Sequence, residues 1–364
     1  MGIVLTGLDK TEFGETFHVG AAIVLAPGLA HFNYPATPRV EGLNAEAKWS
    51  DEKNRLLELS AAQIAFLEDI TTYTDGQRSS IISALSQLQR NYPGQIIDTS
   101  GGTVEINKKK CTNEIIYPAF QVNGGRPIGW ISAAFLSGLE QETKDNIAVY
   151  LNRHVNEEVK PFTRPSPKGL IRIRNKNDDS AWRNTNADIV NMMITAFTQN
   201  GITNLIFAGD HMGYVDEIIV DERLQKKLGI TAYSIIGFDS DPAFQEIANG
   251  KLFAAQLQLL SLLYLSHATL CSVGMMSGAL DGPGLMGYPT IFFQEDGKDN
   301  RMGLLSGLIS SWFIKVPFNV VSKKGNEVIH FTSQQTDLLL QQIATLKPAW
   351  LAGQEPYWWG GGKW

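Results

Sequence analysis

Cysteine is scarce in this chain, and basic residues are not in excess. Only two cysteines occur among 364 residues, Cys111 and Cys271, which excludes a disulfide framework and a cysteine-rich metal site. This usage favours a reducing compartment, and we predict a cytoplasmic protein. Lysine and arginine number 31 against 37 aspartate and glutamate residues, giving a formal net charge of −6. The chain therefore lacks the basic surplus that general nucleic-acid binding requires.

Long hydrophobic runs and internal repeats are also missing. The most apolar stretch, residues 253–268, is interrupted by polar side chains and is too short for a transmembrane segment. The first ten residues lack the basic start and apolar run of a secretory signal. No repeat of about 20 to 50 residues is present, which excludes solenoids and propellers. What remains, 43% hydrophobic and 19% charged residues, is an ordinary globular composition.

Several catalytic signatures are absent as well. The sequence contains no G-x-S-x-G, no G-x-x-x-x-G-K-[ST] and no histidine pair at metal-ligand spacing. Residues 282–287 match G-x-G-x-x-G, but they run into Tyr288-Pro289 and a predicted strand instead of a helix. These patterns disfavour a serine hydrolase, a P-loop nucleotidase, a simple dehydrogenase and a zinc hydrolase. We predict no metal and no resident cofactor.

A proline-rich segment divides the chain. Residues 160–169 contain three prolines within seven positions, which neither a helix nor a central strand tolerates. We predict an N-terminal α/β domain over residues 1–160 and a second α/β domain over residues 168–335. A C-terminal helix with an aromatic tail is predicted over residues 336–364.

Short apolar runs alternate with helical patterns in the second half. Strands are predicted at residues 170–174, 204–208, 230–238, 269–275 and 289–293, and helices at 187–199, 221–228 and 253–267. This alternation is typical of a doubly wound parallel sheet with crossover helices. The first half is less regular, with strands predicted at 3–5, 21–25 and 115–120 and helices at 52–73, 79–89 and 144–154.

Two arginines lie at the end of the first strand of the second half. In an open parallel sheet, ligands bind outside the carboxyl ends of the strands. Arg172 and Arg174 share a face because alternate strand residues point the same way. Two planar guanidinium groups there suit a diphosphate. The alternative is a solvated edge, on which they pair with Asp178 and Asp179.

The loops after two later strands supply further candidates. Asp210 and His211, with glycines on both sides, fit a ligand-binding loop and equally a plain turn. Ser277 and Gly278 fit a backbone nest for phosphate, or a tight turn without a ligand. Asp281 lies in the same loop and is a candidate binding residue.

Two more positions complete the set of candidates. Glu295 follows the strand at 289–293, where it would contact a sugar hydroxyl, or it belongs to an ordinary acidic loop. Gly124 and Gly125 follow a predicted strand of the first half and would face a ligand from that domain. A hairpin turn is the alternative for these two glycines.

Two short motifs carry a family resemblance. The first is Arg172-Ile-Arg174 followed by Asp178, and the second is Leu265-Ser-His-Ala268 leading to Met276-Ser-Gly278. They resemble an H-x-R motif with its acidic residue, and a helix-closing Leu-Ser and Ala before a serine-rich turn. Both belong to fucosyltransferase-type GT-B glycosyltransferases. The resemblance covers roughly residues 168–300.

The resemblance implies two Rossmann-like domains facing a cleft and a metal-independent transfer of sugar from a nucleotide-diphosphate donor. The acceptor is open: a glycan, a protein or a small molecule. By resemblance, Arg174 is the catalytic group that holds the donor β-phosphate and stabilises the departing nucleotide. Ser277 and Gly278 would contact the diphosphate or the sugar, with Arg172 and Asp178 beside them.

Two positions depart from the family pattern. Arg172 stands where the family has histidine, and Ser261 stands where it commonly has an aspartate that reads guanine. GDP-fucose is therefore one candidate donor, and uridine or other nucleotide sugars are equally open.

Two other functions stay open at this point. One is a sugar-nucleotide epimerase of the same architecture, which uses similar diphosphate contacts and needs no acceptor. The other is a catalytically inactive protein that binds a nucleotide sugar. A transferase would also need a base to deprotonate the acceptor, and five residues of the first half are equal candidates: Glu15, His18, His31, Glu52 and Asp69.

Overall fold

A computed structural model of the chain contains two compact units, built mainly from residues 1–140 and 141–356. The structure describes residues 2–6, 13–25, 30–32, 103–107, 116, 120, 127–155, 166–176, 183–297, 301–309, 311–323 and 326–351. The predicted Gly124–Gly125 loop, Asp178, the helices at 52–73 and 79–89 and the aromatic tail lie outside these residues.

The first unit contains a small parallel sheet. Its elements are β1 (Gly2–Thr6), α1 (Phe13–Leu25), β2 (Ala30–Phe32), β3 (Thr103–Asn107) and α2 (Pro127–Ser137). The strands lie in the order β2-β1-β3 and are parallel. The strand predicted at residues 3–5 is confirmed by β1.

The strand predicted at residues 21–25 is wrong, because these residues form the end of helix α1. Ala21, Ala22, Val24 and Leu25 are all buried. A short, fully apolar run has no period of its own, so it fits a buried helix as well as a buried strand. The whole of α1 packs against α2, with the rings of Phe17 and Phe135 6.2 Å apart.

The second unit carries the larger sheet. Its strands are β4 (Lys168–Ile173), β5 (Asn204–Gly209), β6 (Thr231–Ile236), β7 (Thr269–Met275), β8 (Thr290–Glu295), β9 (Phe313–Lys323) and β10 (Asn326–His330). Its helices are α3 (Gln141–His154), α4 (Ala187–Gln199), α5 (Gly213–Val220), α6 (Glu222–Leu228), α7 (Pro242–Ala248), α8 (Leu252–Leu265), α9 (Asp281–Leu285), α10 (Arg301–Leu308) and α11 (Ser333–Leu351).

The strand order of this sheet is β10-β9-β8-β7-β4-β5-β6. Strands β4 to β9 are parallel, and β10 is antiparallel to β9. The prediction of an α/β fold with a parallel sheet is thereby confirmed. The chain builds outward from β4 to β6, then returns to the other side of β4 with β7. The order therefore reverses between β4 and β7, the position at which doubly wound sheets bind ligands.

The two faces of the sheet differ in character. One face is apolar: Ile171, Phe207, Val273 and Phe293 belong to a buried cluster that includes residues of α4, α5 and α11. Since side chains alternate along a strand, Arg172 lies on the opposite face, together with Ser272 and Gly274 of β7. Helix α8 packs against this second face.

Helix α3 precedes the proline-rich segment and packs against α7 and α8 of the second unit. The hydroxyl of Tyr150 on α3 donates to Asp241 Oδ2 at 2.7 Å. The other oxygen, Oδ1, caps α7 by accepting from the Ala243 N–H at 2.9 Å. The boundary between the two units falls at residues 140–141, upstream of the proline-rich segment at 160–169.

Candidate functional site

The candidate site lies at the carboxyl ends of β4, β5 and β7. Parallel strands end at the same edge of a sheet, so the loops that follow them meet there. Register places Arg172 of β4 between Ala208 of β5 and Gly274 of β7. Arg172 therefore lies between an alanine and a glycine on the two neighbouring strands.

Hydrogen bonds that join residues 184 and 185 to residues 174 and 176 close the base of the loop after β4. The N–H of Arg174 donates to Thr185 Oγ1 at 3.0 Å, and the N–H of Thr185 donates to the Arg174 carbonyl at 2.8 Å. One step further out, Asn184 Oδ1 accepts from the Lys176 N–H and Asn184 Nδ2 donates to the Lys176 carbonyl. Arg174 is partly exposed and lies where this closed loop leaves the strand.

Asp210 ties the loop after β5 to the loop after β4. Its Oδ2 accepts from the Asn175 N–H at 2.8 Å, and its Oδ1 accepts from Lys176 Nζ at 2.6 Å. Asn175 Nδ2 also donates to the His211 carbonyl at 2.7 Å. Both carboxylate oxygens of Asp210 are therefore engaged within the protein, which makes Asp210 a residue that positions the two loops.

Two glycines bring these loops close to one another. Gly209, with φ of +103°, has no room for a side chain, because a Cβ would lie 2.2 Å from the Ile173 carbonyl oxygen. Gly237, which follows β6 with φ of +67°, donates its N–H to the Gly209 carbonyl at 2.9 Å. The ends of β4, β5 and β6 are thereby held in one layer.

His211 is exposed on this edge and is oriented by an acidic residue. Its Nδ1 lies 3.2 Å from Asp216 Oδ1, in the first turn of α5, and its side chain is 73% exposed. Its Nε2 lies over the backbone of Gly237, 2.9 Å from the position of an added Cβ. A neutral imidazole that donates from Nδ1 keeps Nε2 as a proton acceptor.

Arg172 carries a buried polar atom that lacks a partner. The side chain is partly exposed as a whole, but its Nη1 is buried and has no hydrogen-bond partner among the described residues. Burial lowers the pKa of the Arg172 guanidinium below its ordinary value, and the negative charges of Asp239 and Asp210 oppose this shift only in part. Both aspartates follow strand ends at the carboxyl edge of the sheet.

The loop after β7 contributes Ser277 and Gly278 from the other side of β4. Ser277 is partly exposed, and its Oγ accepts from the Ala279 N–H at 3.2 Å to start a single 3-10 turn, Gly278–Leu280. The preceding residue, Met276, donates its N–H to the Phe293 carbonyl at 3.0 Å. This turn begins beside the end of β4.

The remaining candidates lie in different surroundings. Asp281 is fully buried at the start of α9. Glu295 ends β8 and is partly exposed, two strands away from β4. Ser261 is buried in α8 and donates its hydroxyl to the Leu257 carbonyl at 2.8 Å.

The structure thus brings Arg172, Arg174, Asp210, His211 and the Ser277-Gly278 turn to one edge of the sheet. Sequence reasoning missed four polar residues that belong with them: Asn175, Lys176, Asp216 and Asp239. The sequence did carry a signal for them, since each lies within eight residues after the end of a predicted strand. Of the base candidates, His18 is buried in α1, whereas Glu52 and Asp69 are not among the residues described.

Neither the described residues nor the comparisons with known proteins assign a partner to this site. Over the described part of the chain, no three His, Cys, Asp or Glu side chains form a group that would hold a metal ion. Among the same residues, no helix is both long and apolar enough to cross a membrane. No family model, no curated protein and no solved structure matches this chain.

Proposed function

We propose that this chain is a metal-independent glycosyltransferase of the GT-B type, with its donor site at the carboxyl edge of the seven-stranded sheet. The observation that carries the proposal is the position of the two sequence motifs. Arg174 and the Ser277-Gly278 turn follow β4 and β7, the neighbouring strands between which the strand order reverses. A diphosphate bound at this point would meet a guanidinium from one strand and backbone N–H groups from the other.

The proposed reaction needs charge stabilisation more than it needs a reactive group. The bond between the anomeric carbon and the β-phosphate oxygen breaks, and the acceptor oxygen forms the new bond while it loses its proton to a base. Negative charge develops on the departing diphosphate, where the Arg174 guanidinium would stabilise it without a metal. Arg174 is therefore the proposed catalytic residue, and Ser277 and Gly278 would bind the diphosphate.

The proposed function also implies a two-domain architecture. GT-B enzymes contain two Rossmann-like domains, and the seven-stranded unit would be the donor-binding one. The first unit, with three parallel strands in its described part, would be the acceptor domain.

One residue of α8 affects which nucleotide the donor is expected to carry. At the position where the resembling family commonly has a guanine-reading aspartate, this chain has Ser261, whose hydroxyl is engaged by Leu257 within the helix. GDP-fucose is therefore one member of the donor panel to be tested, together with uridine nucleotide sugars.

The test is a binding and turnover panel with nucleotide-diphosphate sugars, read by calorimetry and by release of nucleotide diphosphate. We expect at least one donor to bind below millimolar concentration and its turnover to persist in the presence of EDTA. The absence of binding by any nucleotide diphosphate at millimolar concentration would contradict the proposal. A changed sugar without an acceptor would indicate an epimerase, and binding without turnover an inactive binding protein.

A further inference from the structure

Arg172 is a partly exposed cation whose Nη1 is buried and has no hydrogen-bond partner among the described residues. It lies on β4, an interior strand of the sheet at the point of strand-order reversal. A buried charge that lacks a partner destabilises a folded protein. Such a group persists where something outside the folded chain completes it.

Two of the three groups that act electrostatically on Arg172 have other hydrogen-bond partners. Asp210 uses both oxygens on Asn175 and Lys176. Tyr264 of α8 donates its hydroxyl to the Pro289 carbonyl at 3.0 Å, and burial raises its pKa, so it is neutral and supplies no counter-charge.

Asp239 is the remaining acidic group that acts on Arg172. It is exposed and lies in the 3-10 turn Phe238–Ser240 after β6, and it attracts Arg172 without accepting a hydrogen bond from the buried Nη1. The electrostatic attraction from the protein is therefore long-range, and the direct acceptor is missing.

The residues opposite Arg172 on the two neighbouring strands are small. Gly274 on β7 admits no side chain, because a Cβ would lie 2.8 Å from Arg172 Cβ and 2.9 Å from the Arg172 carbonyl oxygen. Ala208 on β5 contributes only a methyl group. Neither side chain therefore carries a hydrogen-bond acceptor for the guanidinium.

We propose that Arg172 is a ligand-binding residue, distinct in role from Arg174, and that its missing acceptor is an oxyanion of the ligand. The identity of that oxyanion rests on the proposed function, which makes it a phosphate oxygen of the nucleotide diphosphate. A carboxylate of a sugar acid has the same hydrogen-bonding chemistry and is separated from phosphate by the test. Without a ligand, Arg172 lowers the stability of the protein.

This account predicts that removal of the Arg172 charge increases the stability of the ligand-free protein. Replacing Arg172 by methionine removes a buried, unpaired charge and keeps most of the side-chain volume, so the ligand-free protein should become more stable. A purely structural arginine would give the opposite result, since its loss would remove contacts that hold the fold.

The experiment compares thermal unfolding and anion binding of the full chain with those of Arg172→Met and Arg172→Lys. Arg223→Met on the exposed surface of α6 is the matched control. The probes are inorganic diphosphate, UDP, GDP and glucuronate. We expect Arg172→Met to raise the ligand-free Tm by about 2–4 °C or more and to weaken binding of diphosphate compounds about tenfold or more.

Arg172→Lys should keep the charge yet bind more weakly than the wild type, because an ammonium lacks the planar fork. Arg223→Met should change neither property. Tighter binding of glucuronate than of the diphosphates would indicate a carboxylate ligand and overturn the phosphate assignment. Unfolding or a lowered Tm of Arg172→Met, or no stabilisation of the wild type by any probe, would overturn the proposal itself.

Failure of this inference differs from failure of the proposed function. Equal nucleotide-diphosphate binding by the wild type and Arg172→Met would remove Arg172 and leave the transferase proposal standing. Arg172-dependent binding of inorganic diphosphate, with no nucleotide-sugar binding or turnover, would support the role of Arg172 and contradict the transferase proposal.

Discussion

The two faces of the central strands differ in what they contribute to the protein. On β4 and β7, Ile171 and Val273 point into a buried apolar cluster, whereas Arg172, Ser272 and Gly274 point to the opposite face. The polar face contains a 3.2 Å hydrogen bond from Ser272 Oγ to Thr290 Oγ1. It also contains the buried Arg172 Nη1, which has no hydrogen-bond partner among the described residues.

This difference separates stability from function within the same strands. Burial of apolar side chains on one face supplies the free energy that holds the sheet in place. The other face keeps a charged group at a stability cost, at the edge where the ligand is proposed to bind. Substitutions on the two faces should therefore change different properties, stability on one and ligand binding on the other.

Phe197→Ala should give the largest effect, because it creates a cavity on the apolar face. Phe197 is fully buried in α4, and its ring packs directly over Gly169 of β4. Loss of the ring should lower the free energy of unfolding by about 3–5 kcal/mol, measured by chemical denaturation. Val220→Ala, at a position that is 80% exposed, is the control and should stay within about 0.5 kcal/mol of wild type. A small change for Phe197→Ala would show that this face is not the main source of stability.

Arg174→Ala should give the largest effect on activity. If Arg174 stabilises the charge of the leaving diphosphate, its loss should lower kcat/KM on the order of a hundredfold or more, without a change in far-UV circular dichroism. Arg174→Lys should restore little, because an ammonium does not reproduce the two-point contact of a guanidinium. Arg223→Ala is the matched control for removal of a surface arginine. Near-normal turnover of Arg174→Ala would remove this residue from the catalytic site.

Gly274→Ala tests the space beside Arg172. The added methyl group would lie within 2.9 Å of backbone and Cβ atoms of Arg172, so β7 or Arg172 must move. We expect a loss of about 1–3 kcal/mol in the free energy of unfolding, together with weaker binding of diphosphate compounds. Gly307→Ala in α10, where a Cβ meets nothing within 4 Å, should leave stability unchanged or raise it. Equal behaviour of the two variants would mean that the small residue at 274 is not required.

Asp241→Asn should have the smallest effect, and it concerns the helices on the polar face. The hydrogen bond from Tyr150 and the Ala243 N–H hold the pKa of Asp241 below its ordinary value, against the opposing effect of partial burial. The charged form therefore stabilises the folded state above the unfolded-state pKa of about 3.9, and this contribution is lost as pH falls through the lower folded-state pKa.

Wild type should be more stable than Asp241→Asn at pH 7 by less than about 1 kcal/mol, and the difference should be smaller at pH 3. Chemical denaturation at both pH values checks this. A difference that is the same at both would assign the effect to the amide side chain instead of the charge.

Local patterns in the sequence predicted much of this fold. The apolar runs that became β4, β5, β7 and β8 were bounded by turn residues, and their alternation with helical patterns indicated the parallel sheet. The run at residues 21–25 was misassigned because five apolar residues carry no periodicity that separates a helix from a strand.

The site was less predictable because its contacts are long-range. The ion pair between Lys176 and Asp210 spans 34 positions, and no local pattern links the two. The sequence predicted Arg172 and Arg174 at the end of one strand and gave them different roles only by resemblance. The sheet places Arg172 between β5 and β7, and its Nη1 is buried and has no partner among the described residues.

The most direct test of the central claim is an experimental structure of the protein with a bound nucleotide diphosphate, UDP or GDP. The account predicts the diphosphate at the carboxyl ends of β4 and β7, with phosphate oxygens within hydrogen-bond distance of the Arg174 guanidinium and of the backbone at Ser277-Gly278. A nucleotide bound at another edge of the sheet, or a protein that takes up neither nucleotide at millimolar concentration, would contradict it.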